Sequence, residues 1–590
     1  MRTAQEKHFY THDGTTLFYR HWPRVSDATA ERALVLFHRG HEHSGRLQHV
    51  VDELGFEDCA YFAWDARGHG HSPGARGDSP SFAASVKDVD SFIRHISNNY
   101  GIKMENIVVI AQSVGAVLTA TWAHDYAPKI RGMVVTAPAF DVKLYVPLAR
   151  PALALRYRLS GNFFISSYVK AKFLTHDPER IRTYESDPLI TRDISARVLL
   201  GLYEAGERVV ADAQAIHLPM QVLVSDSDWV VHRGPQETFF QNLGSTLKER
   251  HVLPGFFHDT LGELDRKLAF DKIHNFIQRL FAAEPATLLP QQALLQAHQA
   301  GYTRDEELRL SAPLSLLSPK NLQFALTRLS MRTLGRLSDG IRLGLATGFD
   351  SGSTLDYVYR NQIRGTSILG RLIDRGYLDA IGWRGIRVRK QHLQLAIATA
   401  AKALADAGQP LRILDIAAGH GRYVLDAVAT LPTRPASIVL RDYSEANVQA
   451  GRALIAARGL GDIARFEAGD AFDAEALAAL TPAPNLAPTL SIVSGLYELF
   501  SDNAAVQRSL SGLARLMSSG SYLIYTGQPW HPQLEMIART LTSHRGHKAW
   551  VMRRRSQAEL DALVSDAGFD KLEQWTDDWG IFTVTLARRK

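Results

Sequence analysis

The chain has 590 residues, of which 45% are hydrophobic and 22% charged, with 43 glycines, a balance that excludes fibrous and disordered classes and supplies apolar material for more than one core. Its formal charge of +6 is about one excess positive charge per hundred residues, too dilute for a nucleic-acid binder, so no nucleic-acid partner is expected. A single cysteine, Cys59, excludes an internal disulfide, and the opening residues lack the apolar stretch of a secretory signal, which implies a cytoplasmic protein.

In chain order, short apolar runs alternate with amphipathic helical stretches: "ALVLFH", "YFAWDARG", the helix "SFAASVKDVDSFIRHISNNYG", "NIVVIAQS", "GMVVTAPA" and "MQVLVSD". Continuous apolar runs followed by helices indicate an α/β fold with a parallel sheet covered on both faces. Ser113 stands where one such strand ends and the helix "VGAVLTATWAHDYA" begins, the position of a nucleophile elbow. The pattern there is G-x-S-x-G with Ala111 at the first glycine and Gly115 at the second. A serine hydroxyl is a weak nucleophile unless an imidazole takes its proton and a carboxylate orients that imidazole. Asp226 and Asp228 follow the strand "QVLVSD", and His258 lies in "PGFFHDTLGE", so the order Ser, Asp, His is that of α/β-hydrolases with either aspartate as the acid.

The segments "HRGHEHSGR", "WDARGHGHSPGARG", "AQSVGA", "SDSDWVVH" and "PGFFHDTLGE" together resemble the monoacylglycerol lipase and lysophospholipase group of serine hydrolases over about residues 8–282. That resemblance implies Asp228 rather than Asp226 as the acid, His258 as the base, and an oxyanion hole from the amides of Val114 and Gly40. Arg39 replaces the family's usual glycine after His38. The histidine-rich loop His38, His41 and His43 fits the same resemblance, and no metal is expected. Residues 140–217 read as helical, including "GNFFISSYVKAKFL" and "ARVLLGLYEAG", and resemble the family's cap, under which a lipid-like ester could bury its acyl chain. No apolar run reaches the roughly 18 residues that span a bilayer, so any membrane contact would be peripheral, at the inner surface.

A proline-punctuated stretch, "PATLLPQQALLQAHQAG", closes this α/β-hydrolase domain at residue 284 and opens a largely helical segment, 285–400. In "LRILDIAAGHGRYVLDAVA" a strand, an acidic residue, a small-residue loop and a helix make a nucleotide site. A dinucleotide fingerprint would need a small residue at Val424, which argues against NAD. The pattern D-x-A-x-G-x-G resembles motif I of class I S-adenosylmethionine-dependent methyltransferases, with Ala417 at the first glycine. It implies a Rossmann-like, seven-stranded domain over 401–590 with a terminal antiparallel hairpin about a tight turn. S-adenosylmethionine would be held by Asp415, Ala417, Gly419, Gly421, Asp442, Asp470 and Ala471, with Tyr497, Glu498 and His531 in the acceptor pocket. No N-P-P-Y follows the fourth strand, which disfavours methylation of DNA bases. Arg384, Arg387, Arg389 and Lys390, and separately Arg553 to Arg555, read as solvated faces, the alternative being a hold on a phosphate or an anionic membrane surface. The whole resembles bacterial fusions of an α/β-hydrolase with a class I methyltransferase. Two other readings stay open: a hydrolase whose second half senses S-adenosylmethionine, and a methyltransferase beside an inactive hydrolase.

Overall fold

The computed structural model describes residues 2–25, 31–167, 169–285, 288–480 and 486–590, and the chain divides into two units, Met1–Pro290 and Gln291–Lys590. The division falls at Pro290 rather than 284 because Leu289 still packs against the core of the first unit.

The first unit contains β1 (Gln5–Tyr10), β2 (Thr16–Trp22), β3 (Arg32–Phe37), β4 (Cys59–Trp64), β5 (Ile107–Gln112), β6 (Gly132–Thr136), β7 (Phe164–Ser166), β8 (Asp193–Ser195), β9 (Met220–Ser225) and β10 (Lys248–Leu253). Eight of these form one sheet in the order β1-β2-β4-β3-β5-β6-β9-β10. The pairs β1–β2 and β2–β4 are antiparallel, and the strands from β4 onward run parallel. Successive side chains of a strand face opposite sides, so one apolar run feeds two cores. Val35, Phe37, Val109 and Val135 meet the helices Phe82–Tyr100 and Val114–Tyr126. Leu34, Leu36, Val108 and Val134 meet the helix Lys267–Ala282 on the other face.

Between β6 and β9 the cap holds the helices Ala149–Ser160, Pro178–Ser186 and Ala196–Ala211. It also holds a β pair that the all-helical reading of 140–217 lacked: β7 runs antiparallel to β8. Within "GNFFISSYVKAKFL", Gly161 at φ 77° ends the preceding helix and three-residue strands follow, too short for periodicity to reveal; Tyr168 of this stretch lies outside the described residues.

The second unit contains β11 (Arg412–Asp415), β12 (Ser437–Asp442), β13 (Ala464–Ala468), β14 (Leu490–Val493), β15 (Tyr522–Gly527), β16 (Phe569–Thr576) and β17 (Thr583–Arg589) in the order β13-β12-β11-β14-β15-β17-β16. Five strands are parallel, and β17 is antiparallel to both β15 and β16. Strand order reverses between β11 and β14, and in open α/β sheets the crevice at that switch is where ligands bind. The turn expected between the last two strands is a longer loop, 577–582, tied by Asp577, whose carboxylate accepts from the amides of Trp579, Ile581 and Phe582 at 2.9, 3.1 and 2.6 Å. The long helix Ile381–Asp406 packs Leu393, Ala396, Ile397 and Ala400 onto Ile413 and Ile438 of this sheet. The helices before residue 400 therefore belong to the second core. Among the described residues no helix is long and apolar enough to cross a membrane.

Candidate active sites

In the first unit, Ser113 joins β5 to the helix Val114–Tyr126 at φ 56°, ψ −116°, a conformation that costs an L-residue of order 1–3 kcal/mol unless its surroundings hold it. They do so through the Ser113 amide, which donates to Thr136 O at 3.0 Å, and its carbonyl, which accepts from Val117 and Ala139 amides at 3.2 Å. Gly115 must be small, because a Cβ there would lie 2.5 Å from the His38 carbonyl oxygen. Ala111 is fully buried in the sheet core, and the turn forms with its methyl group in place.

Ser113 Oγ lies 2.7 Å from His258 Nε2, and His258 Nδ1 lies 2.7 Å from Asp228 Oδ2. An ionised carboxylate only accepts. The Nδ1 proton therefore points at Asp228, and Nε2 is left to accept from the serine hydroxyl. Asp228 Oδ1 accepts from the amides of Val230 and Val231 at 2.7 and 3.1 Å. Burial opposes its charge, but His258 and these amides outweigh it and hold the carboxyl below the usual range. Asp226, two residues earlier, points outward and pairs with Arg233.

Gly40 and Val114 lie side by side, since a Cβ on Gly40 would come 3.1 Å from Val114 Cγ2. Both line a cavity of about 640 Å³ with Ser113 and His258. Its other walls are largely apolar cap residues, among them Leu144, Leu153, Ile165, Leu199 and Leu202. Arg39 is drawn into a buried ionic network. Its guanidinium donates to Glu42 at 2.7 Å and lies over the Tyr184 ring at 5.2 Å, while Arg180 pairs with Asp259 at 3.0 Å. Burial opposes ionisation of Glu42 and Asp259, but the surrounding arginines keep both carboxyls below their ordinary values. The three loop histidines diverge: His38 Nδ1 donates to Arg39 O at 2.7 Å, His43 meets Asp187 at 3.0 Å, and His41 lines the cavity.

In the second unit, the loop after β11 borders a cleft of about 780 Å³ lined by Ala417, Gly419, Asp442, Asp470 and Ala471. Gly419 and Gly421 adopt φ of 60° and 72°, and a Cβ on Gly421 would strike Leu440 Cδ1 at 2.5 Å. Asp442 ties the loop down, accepting from Gly419 N through Oδ2 and from Ser444 N and Asn447 Nδ2 through Oδ1, each at 2.9 Å. Asp415 and Gly421 lie beneath the cleft rather than on its wall. The Asp415 carboxylate accepts from the Tyr423 hydroxyl and, at 3.1 Å, from Ala417 N. Burial pushes it up to about 7 against those hydrogen bonds, with Asp442 adding repulsion.

Of the three residues assigned to the acceptor pocket, Glu498 and His531 line a smaller pocket of about 90 Å³ that shares Asp350, Leu355, Arg389, Gly495 and Leu499 with the cleft. Tyr497 does not line it: its ring is buried and its hydroxyl donates to Ser509 Oγ at 3.0 Å. Arg389 is no solvated residue either, being 3% exposed. Burial opposes its charge, yet Tyr359 and Glu498 hold the guanidinium above its usual value. Its position three residues after Ile386 and four before Leu393, both buried, is a helical spacing that marks the inner face. Arg553, Arg554 and Arg555 are buried as well. Arg384 alone of the first group is exposed, over the Trp579 ring at 4.6 Å. The helix Gly352–Arg360 brings Asp356 to the cleft, where it pairs with Arg422 and lies 3.7 Å from His420; no local motif announces it.

Fold and sites define a two-part chain, an α/β-hydrolase unit with a Ser-His-Asp arrangement followed by a Rossmann-like unit with a cleft at the switch point of its sheet. The chain belongs to the family described as "Putative methyltransferase", which matches residues 273–589, and residues 28–265 match the family "Serine aminopeptidase, S33". It is 57% identical over 591 residues to the uncharacterized protein YnbC of Escherichia coli K12, covering 100% of this chain and 99% of that one. It is 25% identical over 282 residues to a monoacylglycerol lipase of Mycolicibacterium smegmatis, covering 47% of this chain and 97% of the lipase. A solved Paleococcus ferrophilus monoacylglycerol lipase covers 47% of this chain and 99% of its own, at 22% identity and a TM-score of 0.40.

Proposed function

We propose that the chain is a bifunctional enzyme: its first unit hydrolyses a lipid-like carboxylic ester through an acyl-Ser113 intermediate, and its second transfers a methyl group from S-adenosylmethionine. The observation that carries the first half is the hydrogen-bond chain Ser113–His258–Asp228 opening on an apolar cavity. Ser113 Oγ attacks the ester carbonyl as His258 Nε2 takes its proton, and Asp228 stabilises the imidazolium that results. The amides of Val114 and Gly40 would receive the developing oxyanion. His258 then returns the proton to the leaving alcohol, and water, activated the same way, releases the acid. Each methylene of the acyl chain buried in the cavity adds about 0.8 kcal/mol to binding. Exposed cap residues such as Leu148, Leu155 and Leu159 support delivery of the substrate from a lipid surface.

For the second unit, the support is the lining of the cleft: Asp442 at the end of β12, a carboxylate suited to ribose hydroxyls, Asp470 and Ala471 on the wall, and the small residues Ala417 and Gly419, which let a nucleoside approach the backbone. S-adenosylmethionine supplies an electrophilic methyl group on a sulfonium. This chain's contribution is alignment and exclusion of water. Two measurements test the proposal: turnover of p-nitrophenyl esters of rising chain length by wild type and Ser113→Ala, and calorimetric titration with S-adenosylhomocysteine. Unchanged turnover in Ser113→Ala removes the hydrolase assignment, and no binding heat removes the methyltransferase one.

A further inference from the structure

The small pocket beside the cleft joins a hydrocarbon wall to a buried charge that is incompletely satisfied. Leu355, Trp383, Ile386, Met552 and Phe582 form the wall. Arg389 enters from the long helix, its guanidinium over the Phe582 ring at 5.1 Å. Its nearest carboxylate oxygen is Glu498 Oε1, at 3.8 Å from Nη1, beyond hydrogen-bond reach. Glu498 Oε1 is instead occupied by the Thr526 hydroxyl at 2.8 Å. Arg389 Nε, Glu498 Oε2 and Trp550 Nε1 are buried without a hydrogen-bond partner among the described residues. A cation withdrawn from water and left with an open N–H is costly, and a planar guanidinium is best completed by a planar pair of anionic oxygens.

Location narrows the ligand further. Arg389 lines both the pocket and the cleft, and Gly495, whose added Cβ would lie 3.1 Å from Arg389 Nη2, sits at the same junction. A bound carboxylate would thus stand at the mouth, facing the cleft, with its hydrocarbon in the pocket. The volume of about 90 Å³ is below the roughly 150 Å³ cavity that admits benzene, so that hydrocarbon is a short aliphatic chain. An amine in the same place would meet the Arg389 charge.

We infer that this pocket is the acceptor subsite of the second unit and that it takes a short-chain carboxylic acid, held by Arg389 as the carboxylate. The inference rests on the methyltransferase reading of the cleft. A carboxylate oxygen lone pair forms the new carbon–oxygen bond as the donor's carbon–sulfur bond breaks. That electron pair stays on sulfur, which passes from sulfonium to neutral thioether. The acceptor carries no proton to lose, so no base is required. His531 fits that chemistry as a donor: burial holds its imidazole neutral, with a pKa of about 4, and Nδ1 accepts from Gln533 N at 3.0 Å, leaving the proton on Nε2.

The test is calorimetry on the full chain with butyrate, butyramide and butylamine as probes, and with S-adenosylhomocysteine in parallel. Butyrate should bind at least about tenfold more tightly than the amide or the amine. Arg389→Gln should weaken butyrate by about tenfold or more while leaving S-adenosylhomocysteine within about threefold. Glu498→Gln, which removes the competing negative charge, should tighten butyrate, and it carries the test if Arg389→Gln does not fold. Equal binding of butyrate and butyramide overturns the inference. So does an Arg389→Gln variant that loses S-adenosylhomocysteine as severely as butyrate, since the arginine would then serve the donor's own carboxylate. If butyrate behaves as expected and S-adenosylhomocysteine never binds the wild type, the methyltransferase reading fails and the acceptor role falls with it, leaving a carboxylate site alone.

Discussion

Asp228→Asn separates the shape of the acid from its charge. In the folded chain Oδ1 accepts from Val230 and Val231 amides at 2.7 and 3.1 Å while Oδ2 accepts from His258 Nδ1 at 2.7 Å. An asparagine keeps both amide bonds only with its carbonyl oxygen in the Oδ1 place, which aims its NH₂ at Nδ1. Two donors then face each other unless the imidazole moves its proton to Nε2, and in that tautomer Nε2 cannot accept from Ser113 Oγ, 2.7 Å away. Flipping the amide instead gives up two buried bonds, about 1 kcal/mol or more each. An acid-to-amide change in a Ser-His-Asp triad lowers kcat about 10⁴-fold, or roughly 5 kcal/mol of transition-state stabilisation. The assay is the initial rate of p-nitrophenyl butyrate hydrolysis, with folding checked by circular dichroism. Retention of more than about a tenth of the wild-type rate would refute the reasoning. Asp226→Asn is the control, because its side chain is 41% exposed and pairs with Arg233. It should stay within about twofold of wild type, and a crippled Asp226 variant would reverse the assignment.

Gly115→Ala places a Cβ 2.5 and 2.9 Å from the carbonyl oxygens of His38 and Phe37, neither of which can yield cheaply. Urea unfolding should show a loss of about 1–3 kcal/mol, and an unaltered midpoint would contradict the packing. Asp415 has a folded pKa of about 7 against an ordinary value of 3.8, so the native state binds the extra proton and stability declines as pH rises through that window, by up to about 4 kcal/mol. Asp415→Asn should abolish this decline between pH 5 and 8 in parallel urea titrations, and equal slopes for both proteins would count against it. Asp442→Ala releases Gly419 N and Asn447. Calorimetry should find S-adenosylhomocysteine weakened by about tenfold or more.

Residues that meet because each stands beside a strand end were legible in the chain. Ser113 and His258, and the loop Asp415–Gly421 with Asp442, come together because parallel strands deliver their C-terminal ends to one edge. Choosing between Asp226 and Asp228 on residue type was not possible. The choice is made by the Val230 and Val231 amides, which hold one carboxylate inward. Arg553 to Arg555 read as solvated because three adjacent charges carry no period, while their partners lie as much as 250 positions away. The β pair of the cap escaped notice for want of length, and Asp356 for want of any motif: it reaches the cleft only because helices far upstream fold against it.

The buried arginine triplet has a bearing on where this protein can be cut. Arg553 donates to Thr303 Oγ1 at 2.9 Å and to Glu559, Arg554 reaches Glu306 at 2.5 Å, and Arg555 gathers the carbonyls of Tyr497 and Phe500. Two of the three thus draw on residues that precede the loop after β11 by more than a hundred positions. A fragment starting at 401 would keep all the signature residues and still leave the buried Arg554 without its carboxylate, Glu306. The compact unit begins at Gln291, and gene fusions, swaps or expression trials that respect the motif boundaries alone would part Arg554 from Glu306 and Arg553 from Thr303.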